Sequence, residues 1–208
     1  MRQVASAEIY NTQAQALGWA AHCDPTLHFD WPNLVGLAQL WHELRGDAAL
    51  PRRDAMTARR LKDLLPHIAL YDRFTGPDGQ ARHRVRLEGT HFARVYGSHT
   101  GQVVQDFLAP QHAKRFCFAL ETAVSAMAPM RLLARTDSAD KDFFCAEFCV
   151  MPLADNDGHP AVILVGAHFS ATPWDTYIAA ATARLQEAQA KSLASAERAS
   201  TLNTAICP

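Results

Sequence analysis

Histidine and cysteine give this sequence its widest chemical range, because imidazole and thiolate serve as metal ligands, general bases and nucleophiles. The chain has ten histidines, no two of them at HxH or HxxxH spacing, and no carboxylate completes a known ligand motif. Its five cysteines form no CxxC pair. The spacing therefore predicts no metal site, and we expect the cysteines to be reduced. They are Cys23, Cys117, Cys145, Cys149 and Cys207.

Motifs for covalent or phosphate chemistry are missing from the sequence. There is no Gly-x-Ser-x-Gly elbow to present a nucleophilic serine, no GxGxxG turn and no Gly-x-x-x-x-Gly-Lys loop to hold phosphates. Acyl transfer, dinucleotide redox chemistry and nucleotide hydrolysis therefore lack their usual sequence support, and we expect no enzyme.

Composition narrows the function classes further. The 208 residues are 49% hydrophobic and 20% charged, which is typical of a folded globular chain. A net charge of −1 disfavours a nucleic-acid partner, because phosphate binding usually requires a basic excess. No apolar run approaches the ~20 residues that cross a bilayer, and the first thirty residues lack a signal-peptide layout. We expect a cytoplasmic protein without membrane insertion.

The helices and strands that must position any site can be predicted from the sequence, and they occur in groups rather than in alternation along the chain. Apolar spacing of three and four predicts helices over 34–45, 56–65 and 111–127 and a final helix from 173 to about 199, with short helices near 90–96 and 103–108. Alternation and turn clusters predict strands over 67–74, 82–88, 130–136, 143–153 and 162–169. Strands grouped in this way favour an α+β fold with an antiparallel sheet.

Several short strings in this order resemble the PAS (Per-Arnt-Sim) domain, and in particular a family of short, mostly alphaproteobacterial proteins that contain little more than one PAS domain. The strings are WHELRG at 41–46, LPRR at 50–53, LLPHIAL at 64–70, RVRLEGT at 84–90, YG at 96–97 with TG at 100–101, and MPL at 151–153. They are fold-forming and contain no catalytic group.

The resemblance implies a PAS-like five-stranded antiparallel sheet with short helices on one face, plus flanking N- and C-terminal helices. It divides the chain into a partly helical extension over 1–33, a PAS-like domain over 34–170, and a C-terminal helix with a flexible tail over 171–208. In such a fold the space between helices and sheet either holds a small molecule or is filled by side chains.

Aromatic and polar residues of the helical belt and the facing strands are the candidates to line that space. A filled core explains the same pattern equally well, because a sequence cannot reveal voids. The ligand-pocket candidates are His91, Phe92, Tyr96, Phe107, Phe118, Arg131, Phe144 and Phe148.

Cofactors known from PAS domains find little support here. A haem would need a belt histidine such as His91 or His112, and a single histidine carries little information. A flavin adduct would need the string NCRFLQ, whereas Cys117 lies in RFCF. The sequence argues against both groups, and the expected fold requires no cofactor.

The resemblance therefore implies a sensory or regulatory module that acts through protein–protein contacts with an unidentified signalling partner, gated by a small-molecule ligand. A stripe of Trp174, Ile178, Ala181, Leu185 and Ala188 favours a homodimer in which flanking helices take part. Two alternatives stay open: a small α+β enzyme with a histidine–carboxylate pair in the pocket, and a structural dimer with a filled core.

Overall fold

The structure, a computed structural model, describes residues 2–136, 145–184, 186, 187 and 190. Its helices are α1 (Arg2–Ala16), α2 (Pro32–Arg45), α3 (Thr90–Tyr96), α4 (Val104–Phe107), α5 (Pro110–Ala126) and a C-terminal helix over 174–184. Its strands are β1 (Ala21–Asp24), β2 (Ile68–Thr75), β3 (Ala81–Glu88), β4 (Met130–Arg135), β5 (Cys145–Leu153) and β6 (Val162–Ser170).

Helices α2 and α5 begin and end close to where the sequence predicts them, over 34–45 and 111–127. Proline opens both α2 and α5, since its missing N–H would have no partner in the first turn. Gly46 ends α2 with a φ of 50°, a conformation that costs glycine little. The helix predicted over 56–65 is wrong: this segment consists of turns followed by a 3-10 turn at Leu65–His67, where Pro66 prevents an α-helix from continuing.

The antiparallel α+β fold is confirmed, with one strand added. The sheet order is β1-β4-β5-β6-β2-β3, and every neighbouring pair is antiparallel. The sixth strand, β1, pairs with β4 from Ala21↔Ala134 to Asp24↔Arg131. Asn11 of α1 fixes it through two hydrogen bonds to the backbone of Cys23, 2.9 and 2.7 Å long.

Helices cover both faces of the sheet, whereas the sequence predicts short helices on one face. The expected face packs under α3, α4 and α5, joined by α1 through the buried ring of Tyr10. On the opposite face α2 packs Leu34, Leu37 and Trp41 against β2, β5 and β6. Because α2 is amphipathic, it needs an apolar surface, and the second side of a buried sheet provides one.

Two glycines mark where elements approach closely. A Cβ on Gly89, just before α3, would lie 2.3 Å from the carbonyl oxygen of Leu65. A Cβ on Gly166 of β6 would lie 2.5 Å from a methyl carbon of Leu37. The first contact sets α3 against the 3-10 turn, and the second sets α2 against the sheet. No helix in the described part of the chain is long and apolar enough to cross a membrane.

Candidate functional site

A cavity of about 200 Å³ lies between the sheet and helices α3, α4 and α5. Strands β2, β3, β4 and β5 supply its floor, and the three helices with the loop after α4 supply its walls. Its lining consists of Tyr71, Glu88, Phe92, Val95, Tyr96, Val104, Phe107, Leu108, His112, Arg115, Phe116, Leu132, Ala134 and Phe148.

Aromatic rings form most of the apolar lining. Phe148 on β5 lies among them, with its ring centroid 6.1 Å from Phe116 and 6.5 Å from Phe92. Tyr71 meets Phe116 edge to face at 5.5 Å. Rings at these separations are in packing contact, so much of the cavity lining is aromatic and apolar.

Five of the lining side chains carry polar groups: Tyr71, Glu88, Tyr96, His112 and Arg115. The Glu88 carboxylate accepts the backbone N–H of His99 at 2.9 Å. The guanidinium of Arg115 donates to the carbonyl of Arg135 at 2.5 Å. Burial raises the pKa of Tyr71 well above its usual value, so its phenol keeps its proton at neutral pH. An apolar chamber with a few polar anchors is the usual form of a small-molecule site.

Four of the predicted pocket residues line this cavity, namely Phe92, Tyr96, Phe107 and Phe148. His91 is instead exposed, and its ring contacts His67 with centroids 3.9 Å apart. Phe144 lies outside the described residues.

Phe118 and Arg131 point away from the cavity for reasons of local geometry. Phe118 is two positions after Phe116 on α5, a rotation of about 200°, and its ring packs on Tyr10 of α1 at 5.8 Å. Arg131 precedes Leu132 on β4, and neighbouring strand residues face opposite sides of a sheet. Phe116 and Leu132 therefore line the cavity instead of Phe118 and Arg131.

Sequence reasoning missed ten of the lining residues as pocket candidates. Two patterns could have found several of them: the alternation that places Leu132 and Ala134 on one face of β4, and the helical spacing that places His112, Arg115 and Phe116 together on α5. The missed residues are Tyr71, Glu88, Val95, Val104, Leu108, His112, Arg115, Phe116, Leu132 and Ala134.

Arg131 is the centre of a buried ionic cluster on the opposite face of the sheet. It donates to Glu147 of β5 at 2.6 Å, to Asp30 at 3.2 Å and to Asp24 of β1. Burial raises the pKa of the Glu147 carboxyl, and Arg131 opposes that shift. Arg184 of the C-terminal helix binds the other oxygen of Asp30 at 2.7 Å. The cluster thus ties β1, the segment before α2 and the C-terminal helix to the sheet.

A second charged group joins His83, Glu121 and Arg73 outside the cavity. The buried His83 ring lies 2.9 Å from the Glu121 carboxylate, which Arg73 also binds through two hydrogen bonds of 2.8 Å. Burial alone would raise the pKa of Glu121, but the bonds from His83 and Arg73 outweigh it and lower the value to about 2. The sequence alternative of an enzyme places a histidine–carboxylate pair in the pocket, whereas this buried pair lies outside the cavity and its carboxylate is already held by an arginine.

An exposed group in the β5–β6 turn combines Asp155, Asp157 and His159, with one candidate ligand atom of each within 4.8 Å of the others. The Asp155 carboxylate accepts the backbone N–H groups of Asp157 and His159, both at 2.9 Å. These bonds account for the cluster as a turn-stabilising arrangement.

The family model of the PAS domain matches residues 30–167, about two thirds of the chain. This range includes α2, the strands β2 to β5, most of β6 and every residue that lines the cavity. No curated protein matches the chain. The agreement of the matched range with the antiparallel sheet and its helical belt shows that the chain belongs to the PAS domain family, whose members are typically sensory and non-catalytic modules.

Proposed function

We propose that this protein is a sensory module whose cavity binds a small molecule and whose response passes to a partner through protein contacts. The observation that carries the proposal is the cavity of about 200 Å³, lined mainly by apolar side chains together with five that carry polar groups. Protein interiors are normally packed without voids larger than a water molecule. This space is partly open to solvent, so a ligand that enters it replaces water against the aromatic lining and gains contacts with it.

A route from the cavity to the flanking segments runs through strands β4 and β5. Leu132 and Phe148, which line the cavity, are cross-strand neighbours. The residues that precede them, Arg131 and Glu147, belong to the ionic cluster on the other face. Because these residues share the same two strands, a ligand that shifts Leu132 or Phe148 also shifts the cluster that holds β1 and the C-terminal helix.

Contacts with other chains are supported by exposed apolar side chains on α1 and in the turn directly after it. Val4, Ile9 and Leu17 are 50%, 59% and 42% exposed, respectively. Within the C-terminal stripe, Ala181 is buried in its own chain and Trp174 and Ile178 are half-buried, while Leu185 and Ala188 lie outside the described residues. We therefore propose that a homodimer or a signalling partner uses the surface of α1.

A cytoplasmic site of action is part of the proposal. Cys23, Cys117, Cys145 and Cys149 are free thiols, as is usual in a reducing compartment. Burial raises the pKa of Cys117 to about 12 and that of Cys145 to about 11, so both remain protonated and unreactive. Cys207 lies outside the described residues.

Native mass spectrometry of gently purified protein tests the proposal, because it reports bound small molecules and subunit number together. We expect a retained ligand, and we expect Ala134→Leu, which fills the cavity, to remove it. Ala126→Leu on the α1 side of α5 is the matched control and should keep the ligand. A protein that retains no ligand, shows no saturable stabilisation by added small molecules and copurifies with no specific partner would contradict the proposal.

The two alternative functions receive less support. For an enzyme, the His83–Glu121 pair lies outside the cavity and its carboxylate is held by Arg73. For a structural dimer with a filled core, the cavity itself is the contrary observation.

A further inference from the structure

Three histidines that are far apart in the sequence lie together where β2 begins and β6 ends. His67 is in the 3-10 turn before β2, His91 is in the first turn of α3, and His168 is near the end of β6. The rings of His67 and His91 meet edge to face with centroids 3.9 Å apart. Trp31 contacts His67 at 4.3 Å and His168 at 4.8 Å. Motif spacing in the sequence cannot reveal this group, because its members come from different elements.

The backbone places His67 and His91 opposite each other. The N–H of Gly89, two residues before His91, donates to the carbonyl of Ile68, the residue after His67, at 2.8 Å. A Cβ on Gly89 would lie 2.3 Å from the carbonyl oxygen of Leu65, which shows how closely the start of α3 approaches the 3-10 turn. The fold itself therefore brings the two imidazoles together, as a preorganised binding site requires.

A ring nitrogen of this pair lacks a partner. Nδ1 of His67 is buried and has no hydrogen-bond partner among the described residues. Such groups are rare, because burial removes the water that would otherwise satisfy them. Burial and the neighbouring imidazoles of His91 and His168 lower the pKa of His67, so its ring is neutral at neutral pH, which is the form that ligates metals. His91 is exposed, so an ion can reach the pair from solvent.

We infer that His67 and His91 together bind a divalent transition-metal ion such as Zn²⁺ or Ni²⁺, with water completing the coordination. Imidazole is a preferred ligand of these ions, whereas Mg²⁺ and Ca²⁺ prefer oxygen. Bonds of about 2.0–2.1 Å from zinc to nitrogen place two ligating nitrogens about 3 Å apart. Rings with centroids 3.9 Å apart can reach that separation when the exposed His91 ring turns.

Other groups near the pair do not complete the coordination. Among the described residues, only the β5–β6 turn brings three potential ligand atoms within 4.8 Å of one another, so His168 does not share one ion with both His67 and His91. The carboxylate of Asp30 is already bound by Arg131 and Arg184. Two protein ligands hold an ion less tightly than the four of a structural zinc site, so we expect binding to be reversible.

A bound ion joins the first turn of α3 to the 3-10 turn. Phe92, the residue after His91, lines the cavity together with Val95 and Tyr96 of the same helix. Metal binding therefore holds one wall of the cavity in place without occupying the cavity. The metal site is separate from the cavity, so it stands whether or not the cavity holds a small molecule.

Titration of the untagged full chain with Zn²⁺, Ni²⁺ and Mg²⁺, followed by calorimetry and thermal shift, tests the site. We expect Zn²⁺ and Ni²⁺ to bind and to raise the Tm in a saturable manner that EDTA reverses, because the two rings meet only in the folded chain. Mg²⁺ should leave the Tm unchanged, since it keeps its water and prefers carboxylates to imidazole.

Variants assign the ion to particular side chains. His91→Gln should weaken Zn²⁺ and Ni²⁺ binding about tenfold or more, since even the loss of a residue behind a metal ligand costs about 10- to 100-fold in affinity. Because His91 is exposed, this variant should fold, and its Tm without metal checks that it does. His159→Gln, in the exposed group of the β5–β6 turn, and His168→Gln, across Trp31, are the matched controls and should keep the affinity.

Failure of Zn²⁺ and Ni²⁺ to bind the original protein, or unchanged affinity in a folded His91→Gln variant, would overturn the metal site. An equal loss in His159→Gln would locate the ion in the β5–β6 turn and overturn the assignment, and an equal loss in His168→Gln would overturn a site of two histidines. None of these results affects the proposed function, which native mass spectrometry tests through the small molecule in the cavity.

Discussion

Arg131 is 2% exposed and forms ion pairs with three carboxylates. One of them, that of Glu147, is completely buried. We expect Arg131→Met to lower the free energy of unfolding by about 3–5 kcal/mol, because it leaves a buried charge without its partner. Adding Glu147→Gln should restore part of this loss. Chemical denaturation measures both effects.

The control for this prediction is Arg86→Gln, which removes a half-exposed pair with Asp72. Surface ion pairs are worth about 1 kcal/mol or less, so this variant should change stability little. Equal effects of the two arginine substitutions would contradict the importance of burial in the Arg131 cluster.

We expect His67 and His168 to make stability depend on pH. Burial lowers the pKa of both from 6.5, neighbouring histidines add to the shift, and Asp30 opposes it at His168. The unfolded chain therefore binds protons more readily than the folded protein, and stability must fall as pH decreases through about 6.5 toward the lower folded-state values. Denaturation at several pH values between 5 and 8 measures this slope.

Substitution identifies the titrating groups. The double variant His67→Gln with His168→Gln should show a flatter dependence on pH over the same range. The carboxyl of Glu121 does not interfere, because its pKa is lowered to about 2 and its stabilising contribution is lost only in more acidic solution. An unchanged slope in the double variant would refute the assignment.

At the scale of secondary-structure elements, replacing Gly89 or Gly166 by alanine should lower stability to different extents. A methyl group at Gly89 meets backbone carbonyl oxygens at 2.3 and 2.5 Å, which cannot move without shifting the 3-10 turn. At Gly166 it meets the ends of the Leu37 and Leu34 side chains, which can change rotamer. We expect Gly89→Ala to cost about 3 kcal/mol and Gly166→Ala about 1 kcal/mol, as measured by urea denaturation. The reverse order would contradict this account.

How far the sequence predicts these elements depends on how local their signals are. The helices α2 and α5 and the β2–β3 hairpin carry apolar periodicity and turn residues, and they occur where predicted. Strand β1 has only four residues, and it forms because α1 and β4 hold it, which is information from distant parts of the chain.

The candidate site, like the elements, could be predicted only where its signals are local in the sequence. That aromatic residues of the belt and strands line the cavity could be predicted from their placement in the PAS pattern. Which rings face inward could not, because Phe116 and Phe118 are separated by the rotation of α5 that its contact with α1 selects. The charged lining of Glu88 and Arg115 depends on long-range packing in the same way.

At the scale of the whole molecule, the N-terminal segment should be an integral part of the fold. Removing residues 1–24 would expose the edge of β4, uncover Phe118 and take Asp24 from Arg131. We expect a Tm lower than that of the point variant Asn11→Ala, which loses only the two bonds to Cys23 and about 1–2 kcal/mol. Differential scanning calorimetry tests this order, and a truncated protein as stable as the full chain would contradict it.

Both edge strands of the sheet leave little backbone free for pairing with another strand. On one side the outermost strand, β1, is only four residues long. On the other side the backbone of Val85 in β3 is already bonded to Gln102 and Gly101, and Arg82, Arg84 and Arg86 line the same strand. Two copies of the chain therefore have little unpaired backbone with which to pair their sheets edge to edge, and this protects a concentrated solution from fibril growth. For the part of the chain that the structure describes, we therefore expect assembly to use side chains on helical surfaces.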